Sequence, residues 1–371
     1  MKLNDYTTLG RTGLRVSPLC LGAMGFGNGW GWGADEKLSF EMINLFLESG
    51  GNFIDVADGY QMGQSEEIVG KYVAERKLRD RVAIATKFTF GAEPGNPNAG
   101  GNGRKNIYRA LEGSLGRLKT DFIDLYYLHS WDIVTPVEEV ISTLTDLVRE
   151  GKIRYIGLSD TPAWYFTRAQ TLAEEGGLER VATLQLEYSL AERNIEREHI
   201  PAAQELGIGL CPWSPLAGGL LSGKYKREGN TGKGEGRLTM PNPIFNKFNE
   251  HNWRVVDVLL EVAKQVGKSP AQVALNWLST QPGVTSIILG ATKTTQLADN
   301  LGSLDFTIPA ELRNRLNEVG APEPVHPYNF YESSMQSRLS GGVTVQQWKR
   351  GYVYKGAIAP PAEKKATADE K

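Results

Sequence analysis

The sequence predicts a (β/α)8 barrel preceded by a small hairpin. Three observations carry that prediction. Eight short runs along the 371-residue chain are almost continuously apolar, as strands covered on both faces are. Stretches with helical periodicity lie between them. Long irregular segments follow the third and seventh runs, on the side where such barrels build their sites. A doubly wound sheet is the alternative architecture for the same alternation.

The elements follow in order. "YTTLGRTGLRVS" reads as a hairpin turning around Arg11, Thr12 and Gly13, placed to plug the bottom of the barrel. The strand runs are "PLCLGAM" (18–24), "NFIDVAD" (52–58), "RVAIATKF" (81–88), "FIDLYYLH" (122–129), "IRYIGLSD" (153–160), "ATLQLEYS" (182–189), "IGLCPWSP" (208–215) and "TSIILGA" (285–291). "KLSFEMINLFLESG" (37–50) and "PVEEVISTLTDLVREG" (136–151) are helical, the second stopping at Arg149 and Gly151. Residues 91–104, 217–250 and everything beyond about 320 exceed ordinary connection lengths. The expected division is a barrel domain over 1–320 and a C-terminal extension over 321–371. The extension ends in the small, charged "APPAEKKATADEK", which is expected to be disordered.

Composition narrows the function classes. The chain is 40% hydrophobic and 23% charged with a net charge of -2, so no strong field favours nucleic acid or an anionic membrane. It contains no apolar run long enough to span a bilayer, and "MKLNDYTTLG" lacks the apolar core of a secretory signal. The two cysteines, Cys20 and Cys211, sit inside apolar runs, which fits a reducing, cytoplasmic setting better than a disulfide framework. The four histidines show no metal-ligand spacing, and no metal is expected.

The chemistry is concentrated at the ends of three consecutive runs. The second ends in Asp55, with Tyr60 just beyond; the third carries Lys87; the fourth ends in His129. A carboxylate in an apolar strand is costly unless a cation or hydrogen-bond donor meets it, and Lys87 is the expected partner. An ammonium near a phenol favours the phenolate, so Tyr60 is expected to be acidified below its ordinary value of about 10 and to serve as a proton donor. His129 would hold a carbonyl oxygen. Taken singly, each residue also reads as an ordinary structural group: a cap, a satisfied strand-end side chain, or rim packing.

In order along the chain, "NFIDVADGY", "ATKF", "YLHSWD", "IGLSD", "LQLEYSL", "PWSPLAGGLLSGKY" and "ILGATKTTQLADNL" resemble the successive signatures of the aldo-keto reductase superfamily, from about residue 5 to 320. The resemblance implies a (β/α)8 barrel, NADP(H) bound without a Rossmann domain, and Asp55, Tyr60, Lys87 and His129 as a catalytic tetrad with Tyr60 the proton donor.

For the cofactor, Ser159, Asp160 and Gln185 offer polar groups at strand ends for a nicotinamide carboxamide. The family commonly has Ser-Asn at the first pair. Asp160 departs from that, since a carboxylate accepts from an amide NH2 but cannot donate to its carbonyl. Trp213 is either an aromatic plate for the nicotinamide, as the resemblance implies, or a core indole. Ser214, Pro215, Leu216, Gly218 and Lys224 provide backbone donors and a cation for a pyrophosphate. By resemblance, Gly22, Ala23, Met24, Asp55 and Gly290 complete the cofactor-binding set. Thr292, Lys293, Gln296 and Asn300 surround a helix start suited to an anion, and by resemblance bind the adenosine 2′-phosphate and adenine. Many relatives carry Arg where Thr292 stands; Lys293 is the cation here.

Two decoys are set aside. Gly218–Gly223–Lys224 nearly spells a phosphate loop, but Tyr225 stands where a hydroxyl should bind magnesium. "GWGWGA" (29–34) matches a loose dinucleotide pattern, yet tryptophans fill positions where the turn needs small groups. Trp30 and Trp32 read as pocket-lining or packing residues, with Trp131 and the "VHPYNFYESS" segment as further pocket candidates. The expected activity is reversible NAD(P)H-dependent reduction of an aldehyde or ketone. The expected partner is therefore a small carbonyl or alcohol; a homo-oligomer is left open. The rivals are a Schiff-base aldolase using Lys87 and a cofactor-sensing subunit like those of potassium channels.

Overall fold

The computed structural model describes residues 1–229, 231–240 and 246–343. The chain divides into a compact unit over Met1–Ala321 and a second unit from Pro322 onward. The first unit opens with a two-stranded hairpin, β1 (Thr7–Thr8) and β2 (Arg15–Val16). Seven parallel strands follow: β3 (Leu19–Gly22), β4 (Phe53–Asp55), β5 (Ala83–Phe88), β6 (Ile123–Leu128), β7 (Ile153–Ser159), β8 (Val181–Gln185) and β9 (Gly209–Leu210). After a small hairpin of β10 (Lys226–Glu228) and β11 (Thr231–Lys233), β12 (Ile287–Gly290) completes the sheet and pairs with β3.

Hydrogen bonds from Leu210 N–H to Gly283 O, Thr285 N–H to Leu210 O and Ile288 N–H to Pro212 O join the seventh strand to the eighth, at 2.8–3.1 Å, so the sheet closes on itself. Only two residues of the expected 208–215 run are regular strand, because Pro212 and Pro215 have no N–H for a ladder. The expected barrel is thereby borne out.

Helices cover the outside: α1 (Glu36–Glu48), α2 (Gln64–Glu75), α3 (Arg104–Leu118), α4 (Val137–Arg149), α5 (Ala163–Gly176), α6 (His199–Leu206), α7 (Glu250–Val266), α8 (Pro270–Ser279), α9 (Thr294–Leu301) and α10 (Ala310–Val319). In α4, Val137, Val140, Ile141, Leu144 and Leu147 fall on one stripe and are buried against the sheet, while Glu138 and Glu139 occupy the first turn where the helix dipole favours acids. Helix α8 starts with a capping box: Ser269 accepts from Gln272 N–H and Gln272 reaches back to Ser269 N–H, with Pro270 at the first helical position.

The N-terminal hairpin stops the bottom of the barrel. Leu9 and Val16 are fully buried in the inner cluster with Cys20, Phe53, Ala85, Tyr127 and Cys211. Gly10 has φ of +56°, and a Cβ there would lie 2.4 Å from Ala182 O and 2.7 Å from Gly209 N, so no larger residue fits. In the second unit, a turn at Tyr328–Tyr331 precedes α11 (Ser333–Leu339), and His326 meets Phe330 edge-on. The tail expected to be disordered, 359–371, lies outside the described residues.

Candidate active site

The strand register brings the four anomalous polar residues to one end of the barrel. Asp55 ends β4 and pairs with Ala85 of β5; Lys87 lies two residues further along β5; His129 follows Leu128, which pairs with Phe88. Tyr60 enters a turn whose next residues, Gln61 and Met62, are both left-handed. That turn is pinned by Gln61, whose amide donates to Met24 O at 3.1 Å and whose carbonyl accepts from Trp30 N–H at 3.0 Å.

Lys87 is the centre of the arrangement. Its ammonium donates to Asp55 Oδ1 at 2.6 Å, to Val56 O at 2.8 Å and to the Tyr60 hydroxyl at 3.1 Å. Three donors meet three acceptors, so a fully buried charge is satisfied. The second oxygen of Asp55 accepts from the Gln185 amide at 2.8 Å. Burial alone would push Lys87 down, but Asp55 and Tyr60 outweigh it and hold the ammonium above its ordinary range.

The expected acidification of Tyr60 is corrected. Burial of the phenol raises it more than the Lys87 ammonium lowers it, so Tyr60 is held above its ordinary value and keeps its proton near neutral pH. Because Lys87 donates to the phenol oxygen, the Tyr60 O–H hydrogen is left to point elsewhere. His129 lies edge-on to Tyr60 with ring centroids 5.6 Å apart. Burial, aided by the Lys87 charge, holds the imidazole well below its usual range, and its Nδ1 is buried without a partner. A neutral imidazole retains one N–H for a ligand.

The other predicted residues are placed as follows. Gly22 pairs with both Asp55 and Gly290, and a Cβ on it would meet Ile288 Cγ2 at 2.8 Å. Ala23 N–H donates to Asp55 O, and its carbonyl takes a bond from Ser65. Ser159 Oγ, at the end of β7, is buried without a partner. Asp160 adopts φ of +44° and accepts from the Trp213 indole at 3.1 Å; burial pushes its carboxyl up to about 6. Trp213 is therefore held by Asp160, a role the sequence did not reveal.

Ser214 is left-handed and its hydroxyl accepts from Gly218 N–H at 3.2 Å, closing a turn in which Ala217, Gly218 and Gly219 are also left-handed; Pro215 is buried and Leu216 half-buried within it. The Lys224 ammonium lies 4.9 Å from the centre of the Tyr225 ring and close to Gly219 and Gly236. Gln296 uses its side-chain carbonyl on Thr292, accepting from both its N–H and hydroxyl, while Lys293 is exposed at the start of α9 and Asn300 is buried. Trp30 packs edge-on to Tyr60 at 6.2 Å and against Trp32 at 5.8 Å. Trp131 instead joins Trp164 and Tyr165 in a neighbouring aromatic group.

Two side chains escaped the sequence reading. Phe90 meets His129 edge-on at 4.8 Å; its only signal was an aromatic immediately after "ATKFT". Arg237 lies over Trp32 and reaches Met24 Sδ, with Tyr60 and Glu187 close enough to favour its charge against the burial that lowers it. It follows the glycine-rich "GKGEG", a stretch whose path only the fold reveals.

A family model described as "Aldo/keto reductase family" matches residues 18–321. The chain belongs to the aldo/keto reductase family. This aldo/keto reductase is 36% identical over 349 residues to a norsolorinic acid reductase of Aspergillus flavus, covering 91% of this chain and 86% of that one. It is 38% identical over 326 residues to an uncharacterized oxidoreductase of Bacillus subtilis, covering 85% and 95%. It is 34% identical over 332 residues to an aryl-alcohol dehydrogenase [NADP(+)] of Phanerodontia chrysosporium, covering 86% of each. The chain is accordingly an oxidoreductase of this family. No helix among its described residues is long and apolar enough to cross a membrane.

Proposed function

We propose that the protein reduces aldehydes or ketones with NADPH, reversibly, using Tyr60 as proton donor. The observation that carries this reading is the Lys87 ammonium bonded at once to Asp55 and to the Tyr60 hydroxyl.

The chain's groups suit a nicotinamide dinucleotide. The orphaned Ser159 hydroxyl, the unspent lone pairs of Asp160 and the carbonyl of Gln185 are complementary to a carboxamide. Trp213 offers a ring face; the turn at Ser214, Pro215, Leu216 and Gly218, with Lys224 and Arg237, offers N–H groups and cations for a pyrophosphate. Lys293 at the α9 start, with Thr292, Gln296 and Asn300, suits a 2′-phosphate and adenine. NADP dependence also agrees with the printed name of the Phanerodontia relative. When bound, the reduced cofactor supplies a hydride equivalent to the carbonyl carbon.

Tyr60 gives its O–H proton to the carbonyl oxygen, and the resulting phenolate is stabilised by the Lys87 ammonium until solvent returns the proton. Asp55, braced by Gln185, keeps that ammonium in place. Neutral His129 donates an N–H to the same oxygen and orients the carbonyl. The fully engaged, charged state of Lys87 speaks against a Schiff-base aldolase, which needs a free amine.

The deciding experiment follows NADPH oxidation across aldehydes, quinones, ketosteroids and keto-sugars, with wild type and Tyr60→Phe in parallel. Turnover in the first, lowered about 10²-fold or more in the second, is expected. Undiminished turnover by Tyr60→Phe sinks the assignment. Tight NADPH binding with no turnover of any carbonyl favours a sensing subunit instead.

A further inference from the structure

Asp160 brings a negative charge to a rim where the neighbouring charges are already matched. The Lys87 ammonium meets Asp55 at 2.6 Å, and the Lys247 ammonium lies 2.9 Å from Glu187. Asp160 makes no ion pair among the described residues; its Oδ1 accepts from the neutral Trp213 indole at 3.1 Å. The backbone fixes it from both sides. Asp160 N–H donates to Gln185 O at 3.2 Å, and its carbonyl accepts from Trp131 N–H at 3.4 Å. Its φ of +44° lies in the left-handed region, which aspartate tolerates better than most residues. The side chain is exposed, and its charge adds to the burial that raises the Tyr60 phenol. The charge of Asp160 therefore reaches the reacting end of the site.

The neighbours set the form in which Asp160 is useful. A carboxamide has two N–H donors and one carbonyl. Ser159 Oγ, buried without a partner, has a hydrogen for the carbonyl. Gln185, whose amide is committed to Asp55, can accept one N–H through its side-chain carbonyl. The second oxygen of Asp160 accepts the other. The count closes with Asp160 ionised.

We propose that the Asp160 carboxylate makes this site selective for the redox state of the dinucleotide, binding NADP+ more tightly relative to NADPH than a neutral residue there would. This role rests on the reading of the site as a nicotinamide pocket. The nicotinamide ring is cationic when oxidised and neutral when reduced, so a fixed anion beside it attracts only one of the two forms. By linkage, Asp160 also makes the bound reduced form a stronger hydride donor, because it stabilises the positive charge that hydride loss leaves behind.

The charge is conditional on pH. Although Asp160 is open on one side, desolvation by the protein around it pushes the carboxyl up to about 6, against the Trp213 hydrogen bond. The titratable groups facing it are Glu187 beyond β8, Lys87 on β5 and Tyr60 beyond β4. Lys87 and Tyr60 keep their protons near neutral pH, so among the described residues Glu187, itself raised by burial, is the competitor.

The test titrates the full-length protein with NADP+ and with NADPH by isothermal calorimetry. The measured quantity is the ratio of the two dissociation constants, in which the shared adenine and 2′-phosphate cancel. Asp160→Asn keeps an acceptor for the Trp213 indole and removes the charge. At pH 8 it is expected to cut the relative advantage of NADP+ about tenfold, the scale of one charge pair at a partly solvated site. In wild type that advantage should shrink several-fold from pH 8 to pH 5.5, as the carboxyl takes up a proton; in Asp160→Asn the ratio should stay level. An unchanged ratio in the variant at pH 8 overturns the proposal. So does a pH dependence in the variant as steep as that of wild type, which would belong to Glu187. A protein that binds neither dinucleotide overturns the underlying reading instead, a result distinct from a shifted ratio.

Discussion

Gln185 and Asp55 are 130 residues apart in sequence and joined by a 2.8 Å hydrogen bond inside the barrel. The amide occupies the carboxylate oxygen that Lys87 leaves open. Gln185→Leu should strand that oxygen in a dry site at a cost of about 1–3 kcal/mol. Urea unfolding checks the stability, and a fall in kcat at unchanged substrate KM checks whether Lys87 has lost its brace.

Tyr60→Phe removes one oxygen and leaves the ring contacts with Trp30 and His129. Carbonyl reduction should fall by about 10²-fold or more, the scale of general-acid catalysis. Cofactor titration by fluorescence should give an affinity close to that of wild type.

Asp58 stands two residues before Tyr60, with Oδ1 buried and unpartnered. Burial, then the nearby Glu66, push its carboxyl up to about 7 despite the Arg117 guanidinium. A carboxyl raised on folding from 3.8 to about 7 favours the native state below pH 4, and that contribution is lost as pH rises to 7. Asp58→Asn should therefore be more stable than wild type at pH 8, by on the order of 2–4 kcal/mol, with the difference shrinking toward pH 4. Urea midpoints at pH 4, 6 and 8 measure it; an unchanged difference across that range refutes the assignment.

Lys293→Ala should weaken NADPH by about 1.5–3 kcal/mol and NADH far less, since only the former carries a 2′-phosphate. Parallel titrations with the two dinucleotides decide it, and equal losses remove Lys293 from the phosphate.

The clustering of Asp55, Lys87 and His129 was legible because they interrupt otherwise apolar runs, and a polar group there needs a reason. The strand register then follows from the barrel, and it delivers Lys87 to Asp55 as expected. The direction of the Tyr60 shift was not legible. It depends on how deeply the phenol is buried relative to one ammonium, which only packing sets. Phe90 and Arg237 sit in long connections whose paths depend on partners beyond their immediate neighbours, such as the Thr89–Asn102 bond and Met24, so the local sequence gives little sign of where they point. The same holds for the bond that ties Trp213 to Asp160.

With Leu9 and Gly10 wedged beneath β8 and β9, the lower end of the barrel is stoppered, and the proposed site opens at the upper rim. Dinucleotide and carbonyl would have to pass through it in turn, the deeper-seated one arriving first and departing last. Product-inhibition patterns from initial rates would then show a compulsory sequence.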